Sequence, residues 1–131
     1  MPISYRIDAG RGVALTTATG TLTDRDILEH KKRLHADPAF TPGMHEMSDV
    51  RGVSDLQVTP HGVKRMVAHD AAQGSDAGSH RLAIIASEDV VYGMARMYET
   101  LSDGNPSPSV AVFRDYDAAA KWLGLAPDDG A

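Results

Sequence analysis

The sequence predicts an α/β domain with a mixed, mostly parallel five-stranded sheet and four helices, in the order ββαβαβαβα. Three observations carry this prediction. Strand patterns alternate with helix patterns from the second strand onward, which is typical of parallel sheets with right-handed crossovers. The first two strand patterns are joined by a short turn, so they form a hairpin that adds one antiparallel edge strand. A later apolar run is continuous, as in a strand covered on both faces.

The amino-terminal part of the chain predicts a hairpin and then a helix. Ile3–Ile7 alternates apolar and polar residues, and Gly10–Gly12 makes a turn before the β-branched run Val13–Thr19. Thr23 is placed to cap a helix, with Asp26 three residues later in a capping-box position. One face of this helix carries Ile27, Leu28, Lys31, Leu34 and His35.

The middle of the chain predicts a third strand and a second helix. The first helix ends at Asp37-Pro38, because the residue before a proline disfavours helical backbone. Glu46–Val50 is a modest strand, and a short loop is expected after it. Thr59 suits the N-cap and Pro60 the first position of the second helix. The polar residues 73–79 are expected to form a loop.

The last part of the chain predicts two further strands, each followed by a helix. His80–Ala86 is the continuous apolar run, and Ser87 is expected to cap the third helix. Val110–Phe113 forms the last strand. Asp115 caps the closing helix, which ends at Gly124.

Length and composition restrict the classes of function. The 131 residues predict a single domain over residues 1–126, with a frayed tail at 127–131. A net charge of −5 and an aromatic content of 5% argue against nucleic-acid binding. No segment is apolar enough to cross a bilayer or to act as a signal peptide. The absence of cysteine fits a cytoplasmic protein.

Several short segments, in this element order, carry a resemblance to a known family. They are Pro2–Asp8, Asp49–Val53, Gly93–Tyr98, Val112–Asp115 and Trp122-Leu123. The chain resembles the STAS family of anti-sigma-factor antagonists and cytosolic domains of sulfate transporters. It is more similar to the bacterial STAS/SEC14 branch of small stand-alone SpoIIAA-like proteins, which implies a SpoIIAA-like fold.

The resemblance implies a regulatory surface at the start of the second helix, but the residues depart from the family pattern there. In the family, a partner kinase phosphorylates the serine of an Asp-Ser-x-Gly segment. This chain matches Asp49, Gly52 and Val53 of the preceding strand, but Val58–Gly62 replaces the Asp-Ser-x-Gly segment. Thr59 is the hydroxyl that remains, so it is the candidate phospho-acceptor. The alternative is an ordinary Thr-Pro helix cap.

Arg51 is the second candidate on this surface. Its guanidinium suits a carboxylate or a phosphate, because the fork can bind two oxygens at once. The alternative is a surface salt bridge to Asp49 or Asp55. The predicted partner- or ligand-binding surface consists of Asp49, Arg51, Gly52, Thr59 and His61.

A candidate apolar pocket is formed by methionine-bearing helices. Methionine adapts to varied apolar ligands, and the SEC14 resemblance implies that such a pocket is plausible. The alternative is that these side chains simply fill the core. The predicted pocket residues are Met66, Met94, Met97 and Tyr98.

The sequence shows no catalytic, metal or cofactor motif. The six histidines form no HExxH arrangement, and there is no nucleophile elbow or phosphate-binding loop. We therefore expect a non-enzymatic STAS-like domain that binds a regulatory protein partner, without the phospho-serine motif, a metal or a cofactor. The alternative is a carrier of a small apolar or anionic ligand. An edge strand from the hairpin makes a homodimer the expected oligomer, if there is one.

Overall fold

The computed structural model describes residues 2–73, 80–105 and 108–125. The elements follow the predicted order ββαβαβαβα. They are β1 (Ile3–Asp8), β2 (Val13–Thr23), α1 (Asp24–Ala36), β3 (His45–Gln57), α2 (Pro60–Ala72), β4 (Arg81–Ile85), α3 (Asp89–Ser102), β5 (Ser109–Phe113) and α4 (Tyr116–Leu123).

The five strands form one sheet in the order β1-β2-β3-β4-β5. β1 pairs antiparallel with β2, and each later pair is parallel. This confirms the predicted mixed sheet, with the amino-terminal hairpin supplying the antiparallel edge strand.

The helices cover the two faces of the sheet unequally. One face packs against α1, α2 and α3, whose residues Leu28, Met66 and Tyr98 share a buried cluster with strand residues. The other face packs against α4 through Ala119 and Leu123. β4 is covered on both faces, which explains its continuous apolar sequence.

The strands β2 and β3 are longer than the sequence pattern indicated. β2 continues past Thr19 to Thr23, and β3 continues past Val50 to Gln57, so the expected loop after Val50 is wrong. The two strands stay paired to their ends, with register shifts near Thr19 and Gly20. Beyond Asp49, β3 has no pairing with β4. The extension is thus a two-stranded ribbon, and polar residues on its exposed side hid the strand pattern.

Helix starts follow the predicted capping with one exception. Thr23 and Asp26 form the expected capping box on α1, and the side chain of Asp115 caps α4. α3 differs, because Glu88 is its N-cap residue and makes no side-chain cap hydrogen bond. Ser87 therefore lies one residue before the cap, and its predicted role is wrong.

Two expectations concern residues outside the described ranges. The loop predicted over residues 73–79 is described at residue 73 alone, and the tail predicted over 127–131 is not described. Within the described ranges, no helix is both long and apolar enough to cross a bilayer.

Candidate functional site

A cavity lies between the sheet and helices α1, α2 and α3. Its volume is about 110 Å³, and it is partly open to solvent. An engineered apolar cavity of roughly 150 Å³ can hold benzene, so this cavity is somewhat smaller, and a benzene-sized group would extend through its open side. Its apolar walls include Ile27, Val50, Val63, Met66, Ile84 and Met94.

Glu46 is a buried acid on the sheet wall of this cavity. β3 directs Glu46 and Ser48 to the same side, because side chains alternate along a strand. The Oε2 atom of Glu46 accepts hydrogen bonds from Thr16 Oγ1 at 3.1 Å and from His30 Nε2 at 3.1 Å. Ser48 Oγ donates a third at 3.3 Å. We call these four residues the Glu46 cluster; all of them line the cavity.

Lys31 is a buried base that α1 brings to the same cavity. Its Nζ donates to the two carboxylate oxygens of Asp70 at 3.1 and 3.3 Å and to the hydroxyl oxygen of Tyr98 at 3.0 Å. Tyr98 in turn donates to Asp70. Lys31, Asp70 and Tyr98 form the Lys31 cluster, in which each polar group has a partner.

Each cluster contains buried ionisable side chains. Burial opposes the charge on Lys31, but its contacts with Tyr98 and Asp70 raise its pKa above the ordinary value. Burial also disfavours the charge on Glu46. The hydrogen bond from His30 and the nearby charge of Lys31 outweigh it and lower the pKa of Glu46 to about 2. Burial raises the pKa of Tyr98. At neutral pH, Lys31 and Glu46 are therefore ionised and Tyr98 is not.

A separate group of stacked rings joins α1 to α2. His35 Nδ1 lies 3.1 Å from His69 Nε2, and the two rings are parallel at 5.2 Å between centroids. Phe40 stacks on His35 at 5.9 Å. Burial, followed by the charge of Lys31, lowers the pKa of His35 to about 4. In the described part of the chain, no group of three or more His, Cys, Asp or Glu residues is placed to hold a metal ion.

The structure brings most of the predicted pocket residues to the cavity. Met66, Met94 and Tyr98 line it. Met97 does not line the cavity. It packs against the buried cluster that contains Leu28, Met66 and Tyr98. The predicted pocket therefore exists, but its polar groups were not part of the prediction apart from Tyr98.

Asp49 and Arg51 lie away from the cavity. Asp49 alternates with Ser48 along β3 and shares a surface depression with Arg6 and Tyr116 on the α4 side of the sheet. Arg51 Nε and Nη2 donate to the two oxygens of Asp49 at 2.9 and 2.8 Å. This pair is the salt bridge considered as the alternative to an anion site, and it lowers the pKa of Asp49.

Thr59 is the N-cap of α2, and its hydroxyl both accepts and donates a hydrogen bond. Its Oγ1 accepts from the Gly62 N–H at 3.0 Å and donates to Asp24 Oδ2 at 2.6 Å. The Thr59 N–H also donates to Asp24 Oδ1 at 2.9 Å. A phosphate on Thr59 would replace these contacts and place its charge beside the Asp24 carboxylate, so the geometry favours the cap.

The remaining predicted surface residues have different surroundings. Gly52 lies in β3 where β2 approaches closely, since a Cβ atom there would be 2.8 Å from Thr19 Cγ2 and 3.2 Å from the Ala18 carbonyl oxygen. His61 is exposed in the first turn of α2. The structure thus spreads the predicted surface over the strand extension and the helix start.

Sequence reasoning missed the buried polar residues of the cavity. Lys31 was visible as a charge within the apolar face of α1, and this was the available signal. Glu46 and Asp70 gave no comparable signal, because charged residues at the start of a strand or within a helix are usually exposed.

Comparisons with known proteins support the fold. No family model matches the sequence, and no curated protein matches it. A solved structure from Shewanella loihica PV-4 is similar with a TM-score of 0.58 and 19% identity, over 92% of this chain and 93% of that one. It is described as an uncharacterised protein of the DUF3478 family with a SpoIIAA-like fold. The chain therefore has a SpoIIAA-like fold, which confirms the STAS resemblance at the level of the fold.

Proposed function

We propose that the protein is a non-enzymatic carrier that binds a small ligand in the cavity between the sheet and helices α1 to α3. The observation that supports this is an apolar cavity lined by two ionised, hydrogen-bonded side chains, Glu46 from the sheet and Lys31 from α1. Small-molecule sites have this composition, because apolar walls provide affinity and a few polar groups fix the orientation of the ligand.

The energetics of the two clusters support a role beyond stability. A buried ion pair is rarely more stabilising than well-packed apolar residues of similar volume. Lys31 and Glu46 are respectively 7% and 4% exposed, and both border open space in place of a filled core. Their presence is easier to understand if they contact a ligand.

A cavity-filling substitution tests this proposal. Ala95 lines the cavity, so Ala95→Leu should occupy part of it, whereas Ala71→Leu adds the same atoms at an exposed position of α2. We expect toluene and benzyl alcohol to cause saturable amide shifts in NMR titrations of the wild type and of Ala71→Leu. Ala95→Leu should weaken binding at least about tenfold, since steric exclusion removes most of the apolar contact.

Two results would contradict the carrier. One is the absence of saturable shifts with either probe in the wild type. The other is equal binding by Ala95→Leu and the wild type, which would place the probes elsewhere on the surface.

A regulatory protein-binding role is the second candidate. It is favoured by the exposure of three side chains near helix starts: Thr59, His61 and Val90, the last of which is 71% exposed. The starts of α2 and α3 follow the carboxyl ends of parallel strands, so these residues lie at the same edge of the sheet.

A pull-down from the host of origin separates the two roles. A stoichiometric protein partner that is lost with Val90→Glu and kept with Ala95→Leu would support regulation. No stoichiometric partner, together with a small molecule in a solvent extract of the purified protein, would favour the carrier.

A further inference from the structure

We infer that the ligand of the cavity is uncharged and that its polar head donates a hydrogen bond to Oε1 of Glu46. This inference rests on the proposed carrier function and specifies the class of ligand: a small apolar body with a hydroxyl head.

The hydrogen bonds of Glu46 are unevenly distributed between its two oxygens. Oε2 accepts all three bonds of the Glu46 cluster, from Thr16, His30 and Ser48. Oε1 has no hydrogen-bond partner among the described residues. An ionised carboxylate oxygen without a donor is unfavourable in a buried setting, so a donor from the ligand would complete this site.

Glu46 is buried and also lines the cavity, so its carboxylate stands at the border between the packed sheet and the open space. A ligand head that donates to Oε1 would sit at this border.

The charges around the cavity argue against an ionic head. The ammonium group of Lys31 is already matched by the carboxylate of Asp70. A ligand carboxylate would therefore lie near the ionised Glu46 without a free counter-charge. A ligand ammonium group at Glu46 would be repelled by Lys31, whose charge already acts on the Glu46 carboxylate. A hydroxyl can donate to Oε1 without either repulsion.

A series of probes with one body and different heads tests the inference in the wild-type protein. The probes are toluene, benzyl alcohol, benzoate and benzylamine at pH 7, with affinities from NMR titration. We expect benzyl alcohol to bind at least about tenfold more tightly than toluene, because a hydrogen bond to a charged group is stronger than one between neutral groups. Benzoate and benzylamine should both bind more weakly than benzyl alcohol.

The variant Glu46→Gln tests whether Glu46 causes this order. The matched control is Glu88→Gln, which makes the same change at an exposed position that does not line the cavity. In Glu46→Gln, the advantage of benzyl alcohol over benzoate should shrink at least about tenfold. In Glu88→Gln, the wild-type order should persist. The wild-type series is decisive by itself if Glu46→Gln does not fold.

The outcomes distinguish this inference from the carrier proposal. Toluene that binds as tightly as benzyl alcohol would overturn the head preference and leave the carrier standing. Benzoate or benzylamine binding more tightly than benzyl alcohol would likewise overturn the uncharged head. An unchanged order in folded Glu46→Gln would remove Glu46 from the site. Binding of no probe would overturn the carrier, and this inference with it.

Discussion

Lys31 occupies a position that an apolar residue would fill in an ordinary amphipathic helix. Its neighbours on the same face of α1, Leu28 and Leu34, are buried in the usual way. Lys31 is tolerated there because Asp70 and Tyr98 supply a counter-charge and a hydrogen-bond acceptor. The residue is therefore stable only as part of its cluster, and this makes the cluster sensitive to the loss of one member.

Removing the charge of Lys31 should destabilise the fold strongly. We expect Lys31→Met to lower the free energy of unfolding by about 3–5 kcal/mol, because it leaves the carboxylate of Asp70 buried without a counter-charge. Urea denaturation followed by circular dichroism measures this.

The double variant Lys31→Met, Asp70→Leu is the matched control. It removes both charges and should recover most of the loss. A single variant within about 1 kcal/mol of the wild type would show that Asp70 is not held as a buried ion, a result at odds with the geometry.

At the scale of elements, one carboxylate joins the starts of two helices. Asp24 is the first residue of α1 and accepts two hydrogen bonds from Thr59, the cap of α2. Gly62 leaves room for this contact, because a Cβ atom there would lie 2.0 Å from the Asp24 carboxyl group. The geometry of the α2 start thus depends on a residue far away in sequence.

The substitutions Gly62→Ala and Gly93→Ala should have opposite effects. Gly93 is an exposed position in α3 where an added Cβ meets nothing within 4 Å, so alanine should stabilise by about 0.5–1 kcal/mol. At Gly62 the added methyl group displaces Asp24 and breaks its bonds to Thr59. We expect a net loss of about 1–3 kcal/mol there.

Thermal or urea unfolding of the two variants checks this pair. Stabilisation by both alanines would mean that Asp24 moves aside without loss, and the proposed link between the helix starts would then contribute little.

For the whole molecule, the packing of α1 against α2 should respond to pH through His35. Its pKa is lowered by burial from 6.5 to about 4. The unfolded chain therefore takes up a proton at His35 before the folded protein does. The contribution of His35 to the free energy of unfolding is present in full above pH 6.5 and is lost as the pH falls toward about 4.

The variant His35→Leu tests whether His35 causes this loss of stability. A control is needed because His69, His45 and His80 also have lowered pKa values, so they too destabilise the fold as the pH falls. As the pH is lowered from 6.5 to 5, the urea concentration at the midpoint of unfolding should decrease for the wild type. This pH range lies above the range in which Glu46 takes up a proton. The decrease should be smaller in His35→Leu. An equal fall in both proteins would assign the effect to the other histidines.

The oligomeric state is a further property of the whole molecule. β1 is an edge strand and pairs with β2 on one side. A homodimer through this edge stays a prediction, and light scattering after size-exclusion chromatography would measure it.

Local sequence determined the element order and most helix starts. Alternating apolar residues gave β1, the continuous apolar run gave β4, and capping residues such as Thr23 and Asp115 marked α1 and α4 correctly. These features depend on neighbours within a few positions of the chain, so a single sequence contains them. The SpoIIAA-like fold was implied by a resemblance to a known family, and the similar solved structure supports it.

Tertiary structure alone decided the length of β3 and the composition of the cavity. Residues 51–57 form a strand because β2 pairs with them, although their own pattern is polar. Glu46, Lys31 and Asp70 are buried because partners 16 to 39 positions away satisfy them. Burial of a charge depends on such distant partners, and a linear pattern does not reveal them.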